Sequence, residues 1–468
     1  MKDIISIDIG STYTKGISLK EDHGSLNVLS SYQTSTKDNL SESFSTVLSE
    51  LCNKKISQKS DIPHETEIYT SSSAKGGLSI CAIGLVPELT LSISKLVALS
   101  AGARITGEYT FKLNEDHITE LQKSNPDIIL FSGGTDGGNE EYLIYNARLL
   151  GQSDIESIIL YCGNNALHPK IKDALKNKNL VITENVMPRI NEMNPQGAHD
   201  AIRNIFMDTI VQGKGLGKIN EITGKEPIPT PSALLNLVEA LHQNEIMESF
   251  AIIDLGGATT DCYSSIDGMP KNDSIILRGI PEPHITRSVE GDLGMRVSAK
   301  ATVESCKKFI DNLCDEKHLS KEGFLSHISH ISSNHAYLPQ KKREENYDEI
   351  LAKAAVHYSL RRHSGFLQLT YTPSGKRYLQ RGKDLRGVEY IIGTGGYLSK
   401  NPSPLNAAKG PIYADNGYEI LVPENPQYLT DSSYIFPLLG NCAATYSEGA
   451  AICAKDALNK VPLSRENS

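Results

Sequence analysis

Two segments far apart in the chain carry the residues best suited to chemistry. Asp8-Ile9-Gly10-Ser11-Thr12 and Asp254-Leu255-Gly256-Gly257-Ala258-Thr259-Thr260 each follow an apolar run and join an acid to glycine, then to small or hydroxyl-bearing residues. Glycine lets a backbone come close to a bound group and adopt positive φ, so that successive N–H groups converge on phosphate oxygens. The hydroxyls of Ser11, Thr12, Thr259 and Thr260 add donors. Asp8 and Asp254 would repel a phosphate, and make sense beside one only if Mg2+ lies between. Two such turns facing each other would clamp the β- and γ-phosphates of a nucleotide, with Lys15 neutralising charge as the γ-phosphoryl group departs. One Asp-x-Gly turn is an ordinary hairpin feature. Two in the same register, with a third strand-to-glycine junction at Ile391-Ile392-Gly393-Thr394-Gly395-Gly396, point to a nucleotide held with Mg2+.

The elements that must hold these turns follow from hydrophobic periodicity. Residues 3–9 and 15–19 alternate as a β-hairpin around the first turn, and 41–56 repeat as an amphipathic helix. Between 71 and 205 strand-like runs (104–113, 128–131, 158–161) alternate with helical ones (89–101, 115–123, a segment ending near 150), which predicts βαβ units on a parallel sheet. Residues 214–231, rich in Gly and Pro, read as a linker, followed by a helix over 232–243 and a strand over 250–255. A charged helix is expected over 340–363 and an Ala-rich one over 441–458. The similarity of the turns at 8 and 254 suggests a duplicated half.

Length and composition bound the rest. A chain of 468 residues is too long for one core. With 39% hydrophobic and 22% charged residues, disorder and collagen-like repeats are excluded. The net charge of −9 argues against general nucleic-acid or anionic-membrane binding. No run of roughly 18 apolar residues exists to span a membrane. The opening Met-Lys-Asp-Ile-Ile-Ser-Ile-Asp predicts no secretory leader, and eight cysteines without a CxxC pair read as reduced thiols, so a cytoplasmic protein is expected. Cys306 and Cys314 read as packing residues; His199, His284 and His335 lack metal-site spacing, and no zinc site is expected.

The motifs, in order, resemble those of the sugar kinase, Hsp70 and actin superfamily. Residues 5–16 look like its first phosphate motif, 229–241 its first connecting helix, 252–261 its second phosphate motif, 391–396 its adenosine motif and 440–451 its second connecting helix. The resemblance implies an α/β fold: a two-lobed actin-like ATPase of duplicated ribonuclease H-like domains, with an α/β subdomain inserted in the first lobe. The corresponding layout is 1–70 first-lobe core, 71–205 insertion, 206–245 return and connecting helix, 246–440 second lobe, and 441–468 second connecting helix and tail. Residues 71–78 (Ser-Ser-Ser-Ala-Lys-Gly-Gly-Leu), 84–90 (Gly-Leu-Val-Pro-Glu-Leu-Thr), 130–139 and 380–385 are further similar to the glutamate mutase accessory (MutL) family, over nearly the whole chain. Nothing resembles the DNA mismatch-repair protein of similar name. The resemblance implies an ATPase that reactivates an adenosylcobalamin-dependent mutase or aminomutase by expelling damaged cobalamin. It makes Asp8, Lys15 and Asp254 the catalytic group, Asp8 and Asp254 the Mg2+ ligands, and Gly10, Ser11, Thr12, Gly256, Gly257, Thr259, Thr260, Gly393, Thr394, Gly395 and Gly396 the nucleotide contacts.

Other readings stand beside it. An activator of a 2-hydroxyacyl-CoA dehydratase or aryl-CoA reductase would need paired cysteines that are absent; a small-molecule kinase would need a substrate base; an actin-type filament protein would assemble with nucleotide. Residues 132–138 (Ser-Gly-Gly-Thr-Asp-Gly-Gly) read as a turn, as a loop facing a partner or cofactor, or as a further nucleotide contact. The basic stretch 361–386 reads as a solvated face, as a docking surface for an acidic partner or as a contact to nucleotide phosphate. The oligomeric state is open, with a homo-oligomer among the possibilities.

Overall fold

The computed structural model describes residues 2–10, 12–37, 39–73, 78–190, 192–211, 216–373, 375–407, 412–413 and 417–461. They fall into two units, one of Met1–Ala74, Gly217–Leu277 and Pro281–Ser468, the other of Lys75–Leu216 and Arg278–Ile280. The residues expected as an insertion, 71–205, thus correspond to a unit beginning at Lys75, while Ser71 and Ser72 end a strand of the first unit.

The first unit contains the same sheet built twice. In the first sheet Lys2–Ile9, Tyr13–Asp22 and Ser25–Ser35 form an antiparallel meander; Thr66–Ser72 and then Ile228–Pro229 add in parallel on the other side of the first strand. In the second sheet Phe250–Leu255, Thr260–Ser265 and Ile285–Glu290 form the meander, and Tyr390–Thr394 and Gln427–Thr430 add in parallel. Both have the order third-second-first-fourth-fifth, and Asn459–Lys460 closes the second sheet antiparallel. This repeated order is the two-lobed, actin-like architecture.

The first strand of each sheet is apolar on both faces because both faces are covered. Ile4, Ile7 and Ile9 in one, and Ala251, Ile252 and Ile253 in the other, are wholly buried. Ser6 is tolerated inside because its hydroxyl donates to Leu438 O at 2.6 Å and accepts from Asn441 Nδ2 at 3.0 Å. One apolar cluster joins the sheets: Ile4 and Ile17 pack through Leu234, Leu237, Val238, Leu438 and Leu439 to Phe250, Ile252 and Tyr263. The intervening residues lie on two helices, Thr230–Gln243 and Phe436–Ala443, each following the last parallel strand of a meander-plus-two sheet.

The second unit is an all-parallel sheet of Ser79–Gly84, Arg104–Thr110, Ile128–Phe131, Ile158–Tyr161 and Leu180–Ile182 in the order second-first-third-fourth-fifth, with helices between successive strands. This is the βαβ pattern its sequence rhythm predicts.

Two expectations fail locally. Within the proposed linker, Leu216–Thr223 is a helix, because Ile219 and Ile222, three apart, are buried; residues 212–215 lie outside the described residues. The last helix is two, Phe436–Ala443 and Ser447–Asp456, broken where the Tyr446 ring meets Tyr69 edge-on at 6.4 Å.

Candidate nucleotide site

The two acid-tipped turns are the same turn. Gly10 N donates to Tyr13 O at 3.1 Å, and Gly256 N donates to Thr259 O at 2.9 Å. A Cβ would lie 2.7 Å from Tyr13 O at Gly10 and 3.0 Å from Thr259 O at Gly256, so both turns demand glycine there. In the hairpin registers Asp8 stands opposite Lys15 and Asp254 opposite Asp261. One structural position therefore carries a cation in the first lobe and an acid in the second. Each turn is braced from behind: Thr36 Oγ1 donates to Gly10 O at 2.8 Å, and Met295 N and Arg296 N donate to Gly256 O and Gly257 O at 3.0 and 2.8 Å. Ser11 lies outside the described residues; Thr12 is exposed, and Gly256, Gly257 and Thr259 are half-buried.

The charges of both turns meet. Asp8 is buried, with Oδ1 accepting from Ser71 Oγ at 2.8 Å and Thr230 Oγ1 at 2.6 Å. Burial pushes its carboxyl up, against those hydrogen bonds and Lys15. Lys15 Nζ lies 3.1 Å from the centroid of the Tyr434 ring. Burial lowers this ammonium to about 8, against the pull of Asp8, Asp254 and Asp431 in that order. Asp254 is lifted to about 7, first by burial and then by Asp261 and Asp8. Asp431 is buried and raised in the same way, although Ile435 N, Phe436 N and Thr394 Oγ1 donate to it at 2.9, 3.0 and 2.9 Å. Asp261 is neutralised by Arg287, whose Nε lies 2.9 Å from Oδ1. Asp8, Asp254 and Asp431 each feel the charge of Lys15. That surplus of buried acid suits a divalent cation, which would also let a triphosphate approach.

The donor set is compatible with Mg2+. Among the described residues there is no group of three or more His, Cys, Asp or Glu side chains that could hold a metal by themselves. Mg2+ ordinarily takes one or two carboxylates and completes its shell with water and substrate phosphates, so Asp8 and Asp254 suffice.

These shifts fix a pH dependence. Between its ordinary value of 3.8 and about 7, Asp254 holds a proton in the folded protein that the unfolded chain has released, so stability falls as pH rises through that window. Between about 8 and 10.5 the unfolded chain holds the Lys15 proton that the folded protein lacks, so stability rises again. In thermal melts of the nucleotide-free protein, Asp254→Asn should therefore shrink the gain in Tm on going from pH 7.5 to pH 5. A gain as large as in the parent would contradict the coupling.

The third junction lies beside the second turn. Tyr390–Thr394 runs parallel to Phe250–Leu255 with Thr394 opposite Asp254. Gly395 has φ +93°, and a Cβ there would lie 2.4 Å from Leu255 O and 2.7 Å from Asp254 Oδ1. Gly395→Ala should therefore displace the second turn and destabilise the protein by about 1–3 kcal/mol; a urea midpoint equal to the parent's would refute it. Gly396 faces open space, whereas Gly393 packs against Leu405. Thr394 and Thr260 are wholly buried, their hydroxyls donating to Asp431 and to Leu293 O (2.8 Å), so both are placed to hold the frame. Thr259 Oγ1 donates to Asp261 Oδ2 at 3.1 Å.

Sequence reasoning misses Ser71, Thr230, Asp431 and Tyr434. Asp431 has a signal: it ends the apolar strand Gln427–Thr430 as Asp8 and Asp254 end theirs, but no glycine follows. Of the basic stretch, Arg362 is tied to Glu290 and Asp292, Arg386 to Asp384, and Lys383 is buried, donating to Pro283 O and His284 O at 2.9 and 2.6 Å. In the 132–138 loop the Asp136 carboxylate accepts from Asn165 N, Asn165 Nδ2 and Asn185 Nδ2, each at 2.9 Å, and Gly133, Gly134 and Gly137 have positive φ. No helix among the described residues is long and apolar enough to cross a membrane.

A duplicated sheet whose equivalent hairpin turns share one charged cluster defines a chain of the actin-like ATPase fold. Residues 4–458 match the family model described as MutL protein, and the chain belongs to that family. "Protein MutL" of Clostridium tetanomorphum is 35% identical over 471 residues, an alignment covering 98% of this chain and 100% of the relative. Among solved structures, the xylulose kinase from Lactobacillus acidophilus aligns over 99% of this chain and 93% of its own, at 12% identity and a TM-score of 0.31. The activator of the 2-hydroxyisocaproyl-CoA dehydratase from Clostridium difficile, with bound ADPNP, aligns over 98% of this chain and 100% of its own, at 11% identity and a TM-score of 0.28. At those scores neither structure bears on function.

Proposed function

We propose that this protein is a cytoplasmic, Mg2+-dependent ATPase that reactivates an adenosylcobalamin-dependent glutamate mutase or aminomutase, exchanging damaged cobalamin for intact cofactor. The observation that carries the ATPase reading is the electrostatic meeting of Asp8, Lys15 and Asp254, brought from two turns of identical geometry. Membership of the MutL family supports the partner reading.

In this reading Asp8 and Asp254 hold the metal from the two lobes. Bound Mg2+ would neutralise the triphosphate and polarise the γ-phosphoryl group. Lys15, held beside Asp8 by the hairpin register and against Tyr434, is placed to stabilise charge on the γ-phosphate. Thr12 supplies a hydroxyl donor, Thr259 would do so only by giving up its hydrogen bond to Asp261, and Asp8 or Asp254 orients the attacking water. Because the phosphate contacts come from both lobes, ATP and ADP would favour different lobe separations, which is the differential affinity a mechanical cycle requires.

The test is ATP-dependent recovery of an inactivated adenosylcobalamin-dependent glutamate mutase on addition of this protein. Recovery that requires hydrolysable ATP supports the reading. ATP hydrolysis without any recovery would remove the mutase and leave the ATPase.

A further inference from the structure

The second turn is tied to a helical layer by a buried chain of charge that the chemistry above does not use. Arg296 lies beside the turn: its N donates to Gly257 O at 2.8 Å, and a Cβ on Gly257 would be 3.7 Å from Arg296 Cβ. Its guanidinium turns toward the helices, with Nη1 donating to Met295 O at 2.7 Å and Nη2 to Asp348 Oδ2 at 2.8 Å. Met295 N in turn donates to Gly256 O, so the guanidinium is bonded to the same short segment, Met295-Arg296, that braces the turn. Asp348 lies on the 22-residue helix Lys342–His363 and is 1% exposed. Its other oxygen, Oδ1, lies 2.8 Å from Nε2 of His327, a buried residue of the helix Lys321–Ser333. Two successive helices and the segment beside the turn thus converge on one carboxylate, and Arg296 links that carboxylate to the turn.

A buried ion pair is a poor source of net stability, because desolvation offsets most of its attraction. Its best-supported use is to fix a register, and apolar residues of similar volume can replace it without loss of fold. Here the register fixed is that of Gly256 and Gly257 relative to the two helices.

We propose that Arg296, Asp348 and His327 are positioning residues that set the second phosphate turn, so that the helical layer and the γ-phosphate report on each other through Gly256–Gly257. This rests on the nucleotide reading above. A turn contact that senses the γ-phosphate matters for ATP and little for ADP. A role in stability alone would weaken both nucleotides together.

The experiment compares the full-length parent with Asp348→Asn, Arg296→Lys and the paired replacement Arg296→Met with Asp348→Leu, which removes both charges and keeps the volume apolar. Nucleotide affinities are measured by calorimetry with Mg2+ and either ADP or a non-hydrolysable ATP analogue. Amide exchange at Gly256, Met295 and Arg296 is measured without nucleotide. The proposal expects the paired variant to fold with the parent's circular dichroism, to lose about tenfold or more in affinity for the ATP analogue and to keep ADP affinity within about threefold. It also expects the three amides to exchange faster, and Arg296→Lys, which retains a cation for Asp348, to recover part of both losses. Equal losses for ADP and the analogue, or unchanged amide exchange, would overturn it. Should the parent bind no nucleotide while the three amides still respond, the nucleotide reading falls and the positioning of the turn stands.

Discussion

Asp8→Asn is expected to lower ATP hydrolysis by about 10³-fold or more while leaving the protein folded. The substitution separates the two roles that burial gives this side chain. Asp8 Oδ1 accepts from Ser71 Oγ and Thr230 Oγ1, contacts that stitch the first strand to its parallel neighbour and to the start of the helix Thr230–Gln243. An amide oxygen can still accept both hydrogen bonds, more weakly than a carboxylate, while the burial cost of a carboxylate is gone, so thermal stability should stay close to the parent's. The negative charge that would hold Mg2+ and oppose Lys15 is lost. Asp8→Ala should be equally inactive and less stable, because two buried hydroxyls lose their acceptor at about 1–3 kcal/mol for each group left unpaired. Steady-state phosphate release and melting curves of the two variants check both halves. An Asp8→Asn protein that hydrolyses ATP normally would refute the assignment of the site.

Gly440→Ala is expected to be strongly destabilising. Gly440 lies where the helices Thr230–Gln243 and Phe436–Ala443 cross, and a Cβ there would fall 2.0 Å from Ala233 O and 2.5 Å from Ala233 C. Those atoms are backbone inside a helix, so no side-chain rotation relieves the overlap and the helices must separate. The crossing lies inside an apolar cluster that spans both sheets and includes Leu234 and Leu438. Overpacking of a core costs about 1–3 kcal/mol, and this site should reach or pass the upper end. Because the obstacle is the Ala233 carbonyl and not its methyl, Ala233→Gly should fail to rescue. Urea unfolding of the single and double variants decides it. A loss under about 1 kcal/mol, or a rescue, would contradict the geometry.

The parts legible in the sequence are those whose chemistry is local. Gly10 and Gly256 mark turns that no other residue closes so tightly, and the acid two positions before each is fixed by the same strand. The parallel sheet of the second unit is legible from its βαβ rhythm, and the duplicated first unit from the likeness of its two turns. What escapes depends on contacts between distant segments. Ser71 and Thr230 reach Asp8 across 63 and 222 positions, and nothing local distinguishes either from other hydroxyl residues. Tyr434, held at φ 53° beneath Lys15, carries no signal of its own. Lys383 shows why a count of charges misleads: it adds to a basic stretch in sequence but is buried against backbone carbonyls in the fold. The helix Leu216–Thr223 is hidden because the Gly and Pro around it outweigh the two buried isoleucines that define its face.

The duplication has a mechanistic edge. Lys15 and Asp261 occupy equivalent positions of equivalent hairpins, yet one points a cation at the shared acids and the other is paired off by Arg287. The halves are alike in backbone and opposite in charge, which is what a site needs if one lobe is to engage the γ-phosphate directly and the other through a metal.

Titration calorimetry of a non-hydrolysable ATP analogue, with and without Mg2+, into the parent, Asp8→Asn and Asp254→Asn tests that shared site most directly. The expected result is Mg2+-dependent binding by the parent that each substitution weakens severely. Parent protein giving no heat of binding, or binding that neither substitution disturbs, would contradict it.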